Sequence, residues 1–166
     1  MAVAVRSAGP GDAAAIADIY NEGIEERTST FETAPRTPDD IADWLAACSR
    51  FPLLVAGENG EVSGWARVHE YSGRPVYAGV GEASVYVRRS ARGRGVGRRL
   101  LDELAAGAER RGYWKLTGKL FTDNAASLAL VNRCGWREVG THLRHGRLDG
   151  EWRDVIVVEV LLGEAR

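Results

Sequence analysis

The chain has little of what several common kinds of site require. Its two cysteines, Cys48 and Cys134, show no ligand spacing, which argues against a disulfide scaffold or a cysteine-built zinc site and suits buried thiols in a reducing cytosol. Of its three histidines, His142 and His145 stand close together and His69 is distant, with no carboxylate or cysteine arranged beside them. No metal site is expected. Long apolar runs are missing too. Met1 to Tyr20 carries acidic residues and does not read as a signal peptide, while Val155 to Leu162 is too short to span a bilayer and is interrupted by Glu159. A formal net charge of -1 removes the global positive field that would favour nonspecific nucleic-acid binding. There is no linker and no internal repeat, and 45% hydrophobic with 27% charged residues over 166 positions suits one globular domain, residues 1–166.

Against that background one stretch stands out. From Arg88 to Arg99 there are six arginines, and Arg92-Gly93-Arg94-Gly95-Val96-Gly97 falls between a strand-like run and an amphipathic segment. Glycines at alternate positions remove side chains that would hold a diphosphate off the backbone, so the loop and first-turn amides can point at it. A flexible surface loop is the bland alternative. The dinucleotide fingerprint Gly-x-Gly-x-x-Gly does not fit, because the third glycine comes one residue early and Arg98 holds the later position. A phosphate-binding loop of the Gly-Lys-Ser/Thr type is absent.

Periodicity places strands and helices around this loop. Ala2 to Ser7 reads as a strand, and about Pro10 to Glu26 as a helix with Ile16, Ile19, Tyr20 and Ile24 on one stripe. Thr37, Pro38 and Asp40 form a capping signal for a helix that buries Ile41, Trp44 and Leu45. Leu53 to Ala56 and Val62 to Glu70 read as a hairpin over Glu58-Asn59-Gly60. Glu82 to Arg89 is the next strand, and a helix with Val96, Leu100, Leu101, Leu104, Ala105 and Ala108 on one face ends near Gly112. Trp114 to Phe121 reads as a strand and Ala125 to Arg133 as a short helix. Two closing strands are expected over about Arg137 to Leu143 and Arg153 to Leu162. Alone, these patterns support an α/β or α+β domain.

The run Val85-x-Val87-x4-Arg92-Gly93-x-Gly95-x-Gly97 resembles the coenzyme A motif of the GCN5-related N-acetyltransferase (GNAT) superfamily, and Asn124-Ala125-Ala126-Ser127 through Gly135-Trp136 resembles a second signature. Within it the chain looks most like the phosphinothricin acetyltransferase family. That likeness is carried by Thr28 to Pro38, by Arg74, Tyr77 and Glu82-Ala83-Ser84-Val85-Tyr86-Val87, and by Gly150-x-Trp152-x-Asp154-Val155. It implies a central mixed, mostly antiparallel twisted sheet flanked by helices, and a cytoplasmic, commonly homodimeric enzyme. Acetyl-CoA would be its co-substrate, held by Val85, Val87, Arg92, Gly93, Arg94, Gly95, Val96, Gly97, Arg98, Asn124 and Ser127. The acceptor would be a small glutamate-like amino acid held by Phe31, Arg74, Tyr77 and Ser84.

The residues also suggest a chemistry. Amide formation needs a neutral amine, and an amino acid's α-amine is mostly an ammonium ion near neutral pH, the pKa being about 7.7 to 8.0 for the terminal type. Glu82 could take that proton directly or through water, its basicity raised by partial burial on a valine-rich strand. A strand amide, at Val87 by resemblance, would polarise the thioester carbonyl. Val131 occupies the place where the superfamily carries a tyrosine, so the acid for the departing thiol is unassigned. An acetyltransferase with another amine acceptor and a noncatalytic acyl-CoA-binding module are the rival readings.

Overall fold

The computed structural model describes residues 2–166. Eleven regular elements run in the order β1 (Ala4–Ser7), α1 (Ala13–Glu26), α2 (Pro38–Ala46), β2 (Leu53–Glu58), β3 (Glu61–Glu70), β4 (Val80–Val87), α3 (Val96–Arg110), β5 (Lys115–Phe121), α4 (Ala125–Arg133), β6 (Arg137–Leu148) and β7 (Glu151–Leu161). The strands form one seven-stranded sheet in the order β1-β2-β3-β4-β5-β7-β6, antiparallel throughout except where β4 meets β5.

Local chemistry sets the helix starts. Thr37 Oγ1 accepts the Asp40 N–H and the Asp40 carboxylate accepts the Thr37 N–H at 2.7 Å, the reciprocal cap expected from sequence. Before α1, the buried Asp12 carboxylate takes the Gly9 N–H and both arms of the Arg6 guanidinium, at 2.8 and 2.9 Å. Those hydrogen bonds from Arg6 hold the Asp12 carboxyl below its usual range against the opposing effect of burial.

The central strands of the sheet are buried on both faces, and β3 shows how period two achieves it. Trp65 packs with Ile16, Ile19, Ile24, Ile41 and Val55 beneath α1 and α2, while its neighbours Ala66 and Val68 pack with Leu100, Leu104, Leu116 and Val158 beneath α3. On β4 the same alternation sends Tyr86 to the first cluster and Ala83, Val85 and Val87 to the second.

Two expectations need correcting. The closing strands are longer than their apolar runs: β6 and β7 meet across Asp149 and Gly150, whose φ values of 50° and 82° define a two-residue hairpin turn. Nearly every residue of β6 is exposed, so it carries little hydrophobic pattern, and its register shifts near Gly140 and between His142 and Gly146. Strand β4 starts at Val80 and stops at Val87, with Arg89–Ala91 in a single 3-10 turn.

Glu159, the residue that breaks the last apolar run, lies buried on β7 and ties three strands together. It meets Lys115 Nζ of β5 at 2.8 Å and Arg137 of β6 at 2.8 Å. The hydrogen bond from Lys115 chiefly holds its carboxyl below the usual range, against burial. A carboxyl whose folded-state pKa is depressed contributes stability that is present above its unfolded value and lost as pH falls through the folded value. Glu159→Gln is therefore expected to lower the thermal midpoint at pH 7 and to narrow its gap from wild type as pH falls below about 4, checked by melting curves across that range. Among the described residues, no helix is long and apolar enough to cross a membrane.

Candidate functional site

The parallel contact between β4 and β5 is brief. Val80, Gly81 and Glu82 register with Lys115, Leu116 and Thr117, after which β5 stays with β7 over its whole length and leaves β4. The backbone of β4 beyond Glu82 therefore has a neighbour on one side only. Arg88 donates its N–H to Ser63 O on β3 at 2.7 Å, and Val87 O turns the other way to accept from Arg92 Nε at 3.1 Å. Alternation then aims the N–H groups of Val85 and Val87 into the splay. A cavity of about 70 Å³ lies there, between Ala83 to Tyr86 on one wall and Gly118 to Leu120 on the other, with Ser29, Asn124, Ser127 and Val131 around it. A larger depression of about 190 Å³ sits at the β1–β2 edge by Asn59 and Gly60, away from the splay.

Where β4 ends, the glycine loop leads into α3. Gly93 and Gly95 have φ values of 74° and 82°, and a Cβ on either would project into open space. Gly95 is the N-cap of α3 and offers no side-chain acceptor, so the first-turn amides are free to receive an anion. Gly97 differs, because a Cβ there would meet Leu130 Cδ2 at 2.9 Å; it allows α3 to approach α4. The arginines are also divided in their engagements. Arg88 pairs with Glu22, Arg89 and Arg92 pair with Glu26, and Arg98 lies 3.6 Å from Asp102. Burial alone would lift the Glu26 carboxyl, but hydrogen bonds from Arg92 and Arg89 hold it below its usual range. Among the described residues Arg94 and Arg99 make no ion pair, so the local positive field is smaller than six arginines suggest.

On the α1–α2 side of the sheet, Glu82 sits partly buried in a polar cluster, on the face of β4 opposite Ala83, Val85 and Val87. Lys119 Nζ stands 3.2 Å from its Oε1, His69 Nδ1 is 4.0 Å from its Oε2, and its side chain is 18% exposed. His69 Nε2 lies 3.3 Å from Ser84 Oγ. Burial lowers the His69 pKa, with Arg67 and Lys119 acting in the same sense and Glu82 opposing, so the imidazole is neutral near pH 7. Arg67, opposite Ser84 in the register, stacks over Trp44 at 4.0 Å. His69, Lys119 and Arg67 escaped the sequence reading. The alternation Trp65, Arg67, His69 along β3 was the available signal, but only the register with β4 places it beside Glu82.

The remaining expected residues are distributed as follows. Asn124 caps α4 through the Ser127 N–H at 3.1 Å and donates to Thr28 O at 3.2 Å, linking α4 to the loop after α1. Phe31 lies edge-on to Phe121 at 4.8 Å and against Gly146, where a Cβ would meet the ring at 2.7 Å. Arg74 and Tyr77 belong to an exposed turn between β3 and β4, the guanidinium 5.6 Å from the ring, and among the described residues neither contacts Glu82 or Phe31 through a hydrogen bond or ion pair. Val131 is buried in α4. Tyr86 O–H donates to Ser29 O at 3.5 Å, and burial pushes its phenol well above the ordinary range.

A sheet splayed at one parallel pair, with a glycine loop and helix N-terminus at its mouth, defines a class of acyl-transfer protein. The chain belongs to the Acetyltransferase (GNAT) family, whose match covers residues 16–136, and it is an N-acetyltransferase. It is 35% identical to a phosphinothricin N-acetyltransferase of Streptomyces coelicolor, over 92% of each chain. With an L-methionine sulfoximine/L-methionine sulfone acetyltransferase of Pseudomonas paraeruginosa it shares 33% identity over 100% of this chain and 98% of that one. An acetyltransferase structure from Salmonella typhimurium with its cofactor acetyl-CoA superposes with a TM-score of 0.93 at 30% identity, covering 99% of this chain and 96% of the other.

Proposed function

We propose that this single domain, residues 1–166, moves an acetyl group from acetyl-CoA to the α-amine of a small acidic or glutamate-mimic amino acid of the phosphinothricin, methionine sulfoximine or arsenic-analogue type. The observation that carries the reading is the inner edge of β4, left unpaired beyond Glu82, with Ala83 to Tyr86 lining a cavity beside it. The relatives named for such acceptors supply the substrate class.

Acetyl-CoA supplies an activated acetyl thioester. Gly93, Gly95 and the first-turn amides of Val96, Gly97 and Arg98 are placed to hold a diphosphate, with Arg94 as free countercharge and Arg92 available by exchange from Glu26. Val85 and Val87 offer backbone hydrogen bonds along the splay, and the Val87 N–H is the donor for the carbonyl oxygen as it gains charge. Asn124 and Ser127 border the same cavity. Glu82 takes the proton of the ammonium group, directly or through water, so that the amine nitrogen can form the new C–N bond as the C–S bond breaks. With Val131 in α4, no phenol is available there to protonate the sulfur. A thiol pKa of about 8.5 lets it depart as thiolate.

Arg74 and Tyr77 would grip the acceptor's side-chain head, with Phe31 and Ser84 bordering it. Arg74→Ala removes charge-assisted hydrogen bonds worth about 1.5 to 3 kcal/mol, and should lower kcat/KM for phosphinothricin or methionine sulfoximine by about ten- to a hundredfold. Thiol release measured over those acceptors, arsenic analogues, spermidine and a peptide amino terminus checks this. A preference for spermidine or the peptide would overturn the acceptor class and leave the acetyltransferase assignment standing. A polyamine fits poorly beside Arg67 and Lys119, both cationic. The reading also includes a cytoplasmic location, consistent with the free thiols of Cys48 and Cys134, and a homodimer. For the homodimer, the exposed sheet edge at β6, with Val139 and Leu143 outward, is the feature in favour.

A further inference from the structure

We propose that Arg67 binds the α-carboxylate of the acceptor, so that the site accepts an amine only when a free carboxylate is attached beside it. The inference rests on the acceptor class just given and adds the group that reads its backbone end.

Arg67 lies on β3 opposite Ser84, and its next same-face neighbour, His69, lies opposite Glu82. Adjacent strands are about 4.8 Å apart, and same-face residues along a strand about 7 Å, so the Arg67 and Glu82 side chains rise from neighbouring positions on one face of the sheet. An α-amino acid carries its ammonium and carboxylate on a single carbon. One small molecule can therefore meet Glu82 through nitrogen and Arg67 through oxygen. Arg74, in the turn beyond, remains for the side-chain head.

The surroundings of the guanidinium leave it without an anion. Among the described residues Arg67 forms neither a hydrogen bond nor an ion pair, although it is largely enclosed on its sheet face, and enclosed charges are ordinarily paired. Glu82 is already engaged by Lys119 at 3.2 Å. Burial draws the Arg67 pKa down to about 10, the response of a cation that has lost water without gaining a counterion. Its Cζ lies 4.0 Å from the centre of the Trp44 ring, and with no acceptor among the described residues on its N–H groups the fork is left for a carboxylate, which matches it with two parallel hydrogen bonds.

The test compares one amino acid acceptor with its own α-carboxamide, using wild type, Arg67→Met, Arg67→Lys and Arg74→Ala. Methionine keeps a long apolar stem against Trp44 and removes the charge. Wild type should prefer the free acid. Arg67→Met should lose about ten- to a hundredfold in kcat/KM on the acid with little change on the amide, with acetyl-CoA affinity and thermal midpoint retained. Arg74→Ala should lower both forms together. Equal losses on acid and amide in Arg67→Met, or none on either, would overturn the role of Arg67 while leaving the acceptor class intact. Should Arg67→Met fail to fold, Arg67→Lys decides, because loss of the planar fork should still shrink the acid-to-amide ratio and an unchanged ratio rejects the assignment. A wild-type enzyme whose best acceptor has no free α-carboxylate would remove the acceptor class and this inference together.

Discussion

Glu82→Gln should lower turnover at pH 7 by about a hundred- to ten-thousandfold, the range that a positioned proton acceptor contributes. The change is nearly isosteric, so the strand register with His69 and Thr117 should survive it. It does take the counterion from Lys119, which sits 3.2 Å from Glu82. An unpaired ammonium so close would itself disfavour a protonated amine in the site, and part of any loss in KM belongs to that change. The pH profile separates the two effects. The acceptor amine deprotonates unaided as pH rises, so the variant should recover part of its rate toward alkaline pH. Acetyl-CoA affinity should not move, because the glycine loop lies at the far end of β4. Wild-type turnover across the whole pH range would remove Glu82 from the mechanism. A uniform loss without recovery would assign it to acceptor positioning.

The parts of the molecule legible in the sequence were those fixed by near neighbours. Thr37 and Asp40 announce their cap within four residues, and the glycine loop with the apolar stripe of α3 reads as a strand-to-helix turn without any knowledge of the rest of the chain. Strand β6 was harder, since an exposed edge strand has no buried face to impose alternation; the Asp149-Gly150 pair was the better signal for its end. Distance in sequence hid more. Six arginines look like an open positive patch until Glu22 and Glu26, more than sixty residues earlier, are found paired with three of them. The cluster of Arg67, His69, Ser84, Glu82 and Lys119 depends on an antiparallel register across β3 and β4 and on the crossover that brings β5 alongside β4. No local pattern encodes the partners of Glu82, so its partial burial was legible in the strand and its pairing with Lys119 was not.

Gly95→Val should weaken acetyl-CoA binding by about a hundredfold or more, the second large effect expected. The φ of 82° lies in the left-handed region that valine avoids, at a cost of about 1 to 3 kcal/mol. Its side chain would also project into the open space before the first turn of α3, where the diphosphate is expected to lie. Strain and ligand exclusion can be told apart with Gly60→Val. Gly60 has the same φ of 82° and the same open surroundings, but it sits in the β2–β3 turn, away from the splay. Both variants should lower the thermal midpoint by similar amounts, and only Gly95→Val should lose acetyl-CoA affinity in a titration. Equal affinity losses would mean that backbone strain alone loosens the protein, and unchanged affinity in Gly95→Val would place the diphosphate away from this loop. A selective loss assigns the anion to the N-terminus of α3, where the amides of Val96 and its neighbours have no side-chain cap to compete for them.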